Sequence, residues 1–425
     1  MEIHKGKFDY KWVIFALCIL MNFVCLGFCS SNKGLYLTAV TEALNIKRSL
    51  YSINDSLRFV SSAIISLFFG SLIHRFGFRK MAIFGFTCLI ASLLTYSFAE
   101  NIIAIYLGGI LLGFGLSFTT VTMTSSLIRR WFKTDVGKYT GIAFASNGIG
   151  SAIVAQIITP MIYDEQNPFG YRNAYQFVAA VALIVGIIVV LLLRERPKDQ
   201  PITRQPMEKR TARANSWEGL PFETVKKRPY FYIVAFGTFM TGFILQGIGG
   251  AFAAHIKGAG LSTATLATVT SVYSLALTFS KIFVGFVYDK KGLRFILLMC
   301  QSATVVAFTA LLLVSGTTAG IISAFIFAIL YALALPLETL VIPLVVNDIF
   351  GAASYDKALG IMSALNYIGY ALGMPLVNAC YDVLGSYKPV FITFIMLMPI
   401  IALIFQIVLK QVRKDKQMVI SKSEQ

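Results

Sequence analysis

The sequence predicts an all-α membrane protein of twelve transmembrane helices, arranged as two pseudo-symmetric six-helix bundles. Three observations predict it. First, the chain is 57% hydrophobic and only 13% charged, where a soluble domain carries about 25% charged residues. Second, apolar runs of roughly 20 residues, the length that spans a bilayer, come as six, a polar stretch, and six more. Third, a polar pattern repeats. Gly70, His74, Arg75, Gly77 and Arg79 return as Gly285, Asp289, Lys290, Gly292 and Arg294. Lys138, Gly141, Ile142, Asn147 and Gly150 return as Lys357, Gly360, Ile361, Asn366 and Gly369, and Tyr163-Asp164 as Tyr381-Asp382, all at nearly one offset. Apolar helices resemble one another by chance, but shared spacing of Gly, Asn, Lys and Asp marks a duplication.

The N-terminal bundle, residues 1–193, takes the runs 12–37, 51–74, 80–99, 102–128, 138–163 and 174–193. The first run is long enough to span and has no small-residue cleavage site after it, so it reads as a retained helix. Residues 194–229 are polar, basic and proline-containing, a linker with room for a short surface helix near Trp217. The C-terminal bundle, 230–409, takes 230–256, 263–288, 294–315, 319–347, 358–384 and 387–409, and 410–425 is a tail.

The net charge of +17 is topological. Arg75, Arg79, Lys80, Arg129, Arg130, Lys133, the linker, Lys290, Lys291, Arg294 and the tail from Lys410 fall on one side. The opposite loops hold only Lys47, Arg48, Arg172, Lys257 and Lys388. This positive-inside asymmetry places both termini in the cytoplasm. No basic patch is interleaved with aromatics as a nucleic-acid groove would be. The six cysteines lie within apolar runs, as small packing residues, with neither metal-ligand nor disulfide spacing. No Walker-type loop is present, so ATP is not the expected energy source. The three histidines, His4, His74 and His255, are scattered and form no catalytic set. The expectation is a non-enzyme without cofactor or metal.

Charge inside a spanning helix costs a few kcal/mol and needs a reason. Arg58 lies twelve residues before Gly70, about 18 Å of helix, with Asp55 on the same face. Two readings stand: a cation that coordinates an anionic solute, or a structural ion pair with Asp55. Glu338 follows Pro336 in the middle of the tenth run. A carboxylate in low dielectric takes up a proton readily, so Glu338 is a proton-coupling candidate; a salt bridge is the alternative. Asn147 and Asn366 occupy equivalent places and either orient solute or bond between helices. Tyr36, Tyr331 and Tyr367 are candidates to line the path, or packing residues. The glycine-rich helices allow close approach.

The two six-helix halves, the basic linker and the Gly70–Lys80 motif together resemble the major facilitator superfamily. Three segments are similar to the monocarboxylate porters and the bacterial oxalate/formate antiporters: Phe28–Gly34 with Lys33, Arg130–Gly150, and Ala254-His255-Ile256 with Gly260-Leu261-Ser262. The resemblance implies a carrier that moves a small anionic solute by alternating access, with no catalytic residues. It implies substrate roles for Lys33 and for Lys281, which stands where the resemblance expects an arginine four residues before Gly285. On the residues alone, Lys33 reads as a surface lysine and Lys281 as one that snorkels. The antiporters' helix 11 lysine aligns with Asn366, and the superfamily's motif aspartate with His74. Histidine titrates near neutrality, so that cytoplasmic gating loop is expected to clasp weakly or with pH sensitivity.

The expected solute is a monocarboxylate held by Arg58, Lys281 and Lys33, with Asn147, Asn366 and Tyr367 nearby. Glu338 and Asp55 are the proton-coupling candidates. The two loops Gly70, His74, Arg75, Gly77, Arg79 and Gly285, Asp289, Gly292, Arg294 are the expected gates. The expected setting is a plasma membrane and a monomer, driven by protons or anion exchange. A drug or sugar carrier, or a non-transporting sensor on the same fold, is the alternative.

Overall fold

The structure is a computed structural model that describes residues 9–132, 136–164, 166–194 and 221–423. Most of the expected linker, Trp217 included, and His4 lie outside the described residues. The described residues are almost wholly helical. In the first half these are α1 (Lys11–Met21), α2 (Tyr36–Ala43), α3 (Arg48–Ser97), α4 (Ile102–Thr119), α5 (Val121–Trp131), α6 (Val136–Ile162) and α7 (Gly170–Leu192). After the short α8 (Phe222–Val225) come α9 (Pro229–Gly258), α10 (Thr263–Leu312), α11 (Thr318–Ala334), α12 (Pro336–Thr339), α13 (Val341–Phe350), α14 (Tyr355–Leu384) and α15 (Lys388–Ser423).

Ten spans among the described residues are long and apolar enough to cross a membrane. Two of the long helices each hold two crossings. α10 turns at Gly292 (φ 77°), and α3 turns at Gly77 (φ 81°), after the run that begins at Arg48. These are the second glycines of the repeated motif. Positive φ costs a residue with a Cβ about 1–2 kcal/mol, so glycine recurs there for a backbone reason. The ten spans and these two turns together give the expected twelve crossings.

Polar caps start several helices. Asn101 accepts from the Ala104 amide at the head of α4, and Ser262 from the Thr265 amide at the head of α10. Pro229 opens α9, where its missing N–H costs nothing. Gly385, in left-handed conformation, closes α14.

The chain divides into two compact units, Met1–Leu44 with Leu57–Arg204, and Asn45–Ser56 with Gln205–Gln425. In the first, α6 packs closely along the Asn22–Phe28 segment that continues α1. A Cβ on Gly150 would collide with the Phe23 carbonyl oxygen. In the second, α14 packs along α9 in the same manner, with Gly369 against the Phe239 carbonyl. The internal repeat thus reappears as one helix contact in each unit, and such small-residue crossings are what lipid-embedded helices use.

Three of the expected runs are interrupted. The first passes from α1 into a π-helical turn at Asn22–Phe28, a short 3-10 turn at Lys33–Leu35, and then α2. The fourth breaks at Thr120 (φ −126°, ψ −133°). There the Thr119 and Thr120 hydroxyls donate to the Gly115 and Leu116 carbonyls, a back-bonding that bends helices. The tenth divides into α11, α12 and α13 around Pro336, which supplies no backbone N–H.

Residues 45–56 are held within the second unit by a polar set. Asp382 accepts from the Arg48 and Ser49 amides at 3.1 and 2.9 Å, capping the head of α3. The Arg48 guanidinium lies 4.1 Å over the Tyr381 ring. Asn378 donates to Ser52, Tyr387 donates to Asn378, and Ser56 donates to the Ala371 carbonyl.

Candidate functional site

In the first unit the interrupted first helix supplies the chemistry. Its polar run is Ser30, Ser31, Asn32 and Lys33. Arg58, half-buried on α3, donates from Nη1 to the Ser30 hydroxyl at 3.0 Å and lies 4.2 Å from the Phe59 ring centre. Three residues on from Ser30, Lys33 is only 8% exposed, which rules out snorkelling to a surface. Its Nζ is 3.5 Å from the Tyr96 hydroxyl and 5.5 Å from that ring's centre. Tyr175 stacks on both Tyr96 and Tyr36, building an aromatic wall beside the ammonium. Two cations are thereby brought to one short stretch of interrupted helix. Asn32 and Ser151 of α6 bond reciprocally: Asn32 Nδ2 donates to the Ser151 carbonyl at 2.8 Å, and Ser151 Oγ donates to Asn32 Oδ1 at 3.0 Å. Asn147, half-buried, lies one turn earlier on α6.

In the second unit Glu338 lies in the short α12 at the break of the tenth run and is 6% exposed. Gln246 of α9 donates to its Oε2 at 2.9 Å, and the Tyr370 hydroxyl lies 3.5 Å from its backbone oxygen. Lys281 of α10, half-buried, is close enough to Glu338 to interact electrostatically, as are Tyr273 and Tyr331. Tyr273 and Tyr331 stack at 5.5 Å.

The remaining expected residues fall as follows. Asp55 is buried and belongs to the segment that counts with the second unit. Asn366 is buried and donates to the Thr238 carbonyl at 3.1 Å, a bond between helices. Tyr367 is 53% exposed and meets Tyr370 edge-on. Tyr36 and Tyr331 are buried, the latter donating to the Leu245 carbonyl. His255 contacts the Leu311 carbonyl and packs on Phe391. In the repeated loops His74, Arg75, Arg79 and Asp289 are exposed, Gly285 is half-buried, and Arg294 donates to Gln406 at 2.9 Å.

Sequence reasoning missed Ser30, the Asn32–Ser151 pair, Tyr96, Tyr175 and Gln246. The signal for the first two was the polar run inside an apolar helix. For Gln246 it was a lone amide in a glycine-rich span.

A family profile described as the Major Facilitator Superfamily matches residues 16–346 and 234–424. The chain is 26% identical over 242 residues to the uncharacterized MFS-type transporter YcxA of Bacillus subtilis. It is 22% identical over 243 residues to the sialic acid transporter NanX of Escherichia coli. These alignments span 55% and 56% of the chain and the same shares of the relatives, so the match covers about half the length of each. Monocarboxylate transporter 13 of Bos taurus is 23% identical over 75% of this chain and 70% of its own. Among solved structures, the nucleoside transporter NupG superposes with a TM-score of 0.75, at 13% identity, over 95% of this chain and 100% of that one. That likeness shows the fold.

Proposed function

The chain belongs to the Major Facilitator Superfamily, and on that premise we propose that it carries a small organic anion, a monocarboxylate, across the plasma membrane by alternating access. One observation carries the reading: along the interrupted first helix, Arg58 bonds to Ser30 and, three residues on, Lys33 is buried. Cations inside a spanning segment mark solute sites, and attraction to an anion strengthens as the dielectric falls. At 4 Å and an effective dielectric of 20, a unit anion gains about 4 kcal/mol from each cation. Arg58 forks onto the carboxylate, and Lys33 adds a compact charge.

Within the second unit, Lys281 supplies a further cation and Glu338 carries the coupling proton. Its place among Gln246, Lys281 and tyrosines supports that role. Asn147 and Tyr367 remain proposed solute contacts. Asn366 serves better as a helix tie, given its bond to Thr238. The repeated loops act as cytoplasmic gates, both termini are cytoplasmic, and the carrier works as a monomer. The similarity to monocarboxylate transporters over three quarters of the chain favours this class of solute. The similarity to a sialic acid transporter agrees with an anion but favours a larger one.

Uptake into proteoliposomes, with L-lactate, pyruvate, acetate and sialic acid as probes, tests the reading. Saturable uptake of a monocarboxylate that rises with an inward proton gradient or with a trapped counter-anion is expected. Binding without flux would identify a sensor, and uptake of uncharged sugars alone would overturn the anion.

A further inference from the structure

Interruption of the first helix takes Ser30 and Lys33 out of a continuous α-helical ladder. Between the π-helical turn and α2, the backbone ties are short-range, among them Cys29 to the Val24 carbonyl, Ser31 to Leu26, Leu35 to Asn32 and Tyr36 to Lys33. A stretch released from a regular ladder needs outside contacts to hold one shape. These come from α6 and the residue that follows it. The Tyr163 hydroxyl donates to the Leu35 carbonyl at 2.8 Å. The reciprocal Asn32–Ser151 ring closes at 2.8 and 3.0 Å, with both residues buried. Asn32 stands two residues after Arg58's partner Ser30 and immediately before Lys33. What holds Asn32 therefore helps to hold the backbone that carries Ser30 and Lys33.

We propose that Asn32 and Ser151 are a positioning pair that sets the solute affinity of the Arg58–Lys33 site, without themselves touching solute. This rests on the anion reading above. The ring consumes both halves of the Asn32 amide, one as donor and one as acceptor, so its orientation is determined by bonding on both sides. Leaving either partner unsatisfied in a buried place is costly, and the interrupted stretch is free to shift instead. A shift of about 1 Å in a binding group is enough to lower its contribution sharply.

The test uses the full-length protein in proteoliposomes, with L-lactate, pyruvate and acetate as probes, in the wild type, Asn32→Ala and Ser151→Ala. Ser151→Ala removes only the hydroxyl arm and leaves the backbone arm in place, so it is the milder change should Asn32→Ala fail to fold. A positioning role raises KM, by on the order of tenfold for Asn32→Ala and severalfold for Ser151→Ala, with Vmax per folded carrier retained. A merely structural role lowers the amount of active carrier, so Vmax falls while KM stays at the wild-type value. That second pattern overturns the inference and leaves the anion reading standing. A wild-type carrier that takes up none of the three acids overturns the anion reading and this inference with it.

Discussion

Replacing Asp382 by Ala should loosen residues 45–56 from α14 while leaving the rest of the second unit folded. The Asp382 carboxylate accepts the Arg48 and Ser49 amides, two of the orphan donors at the head of α3. Loss of such a cap costs about 1 kcal/mol, and charge-assisted bonds from backbone amides run somewhat higher. The cation–π contact of Arg48 on Tyr381 and the Asn378–Ser52 bond survive the change. The net cost is therefore about 2 kcal/mol, which is on the order of thirtyfold in a local opening constant. Hydrogen exchange read by mass spectrometry on the purified protein reports this directly. The peptide covering 48–56 should exchange on the order of thirtyfold faster, and peptides from α9 and α11 should be unchanged. Unaltered protection of 48–56 would refute the assignment of Asp382 as the cap. Acceleration spread over the whole second unit would refute a local role.

Arg58→Gln and Lys281→Gln should each abolish anion binding with a thermal midpoint near that of the wild type; unfolding on Arg58→Gln would instead support a structural ion pair. Gly77→Ala and Gly292→Ala should each cost about 1–2 kcal/mol, because alanine is strained at positive φ, and a thermal midpoint unchanged in both would contradict the turn geometry. His74→Asp restores the motif carboxylate and should flatten the pH profile of transport if that loop senses pH; an identical profile ends the idea. A cysteine introduced at Asp289 should react with an impermeant reagent only after the cells are permeabilised, and labelling in intact cells would reverse the orientation.

The twelve crossings were legible because apolar run length and glycine placement are local properties. Gly77 and Gly292 turn the chain where their spacing repeats, since only a residue without Cβ takes that backbone at no cost. Arg58 stood out for a similar reason, as a charge in an apolar run, whereas the proposed roles of Lys33 and Lys281 came from the resemblance, since on the residues alone they read as a surface lysine and one that snorkels. The interruption of the first, fourth and tenth helices was not legible. Hydropathy reports burial, and an interrupted helix can be as apolar as a straight one. The partners were hidden by distance along the chain. Ser151 lies 119 residues from Asn32, and Asp382 lies 334 residues from Arg48. Glu338 was visible as a lone carboxylate, but its tie to Gln246 depends on two helices meeting, which one sequence does not disclose. Asn366 shows the reverse case. Its equivalence to Asn147 left two readings open, solute contact or a bond between helices, and the structure gives its amide to the Thr238 carbonyl.

Equilibrium binding of L-lactate, pyruvate and acetate to purified wild type and Lys33→Gln, followed by calorimetry or thermal shift, tests the anion site most directly. The account predicts saturable binding of at least one of these acids to the wild type. It predicts loss of at least about tenfold in affinity for a well-folded Lys33→Gln protein, because a buried ammonium supplies part of the grip on the carboxylate. Wild-type affinity in well-folded Lys33→Gln, or no binding of any of the three acids to the wild type, would contradict it.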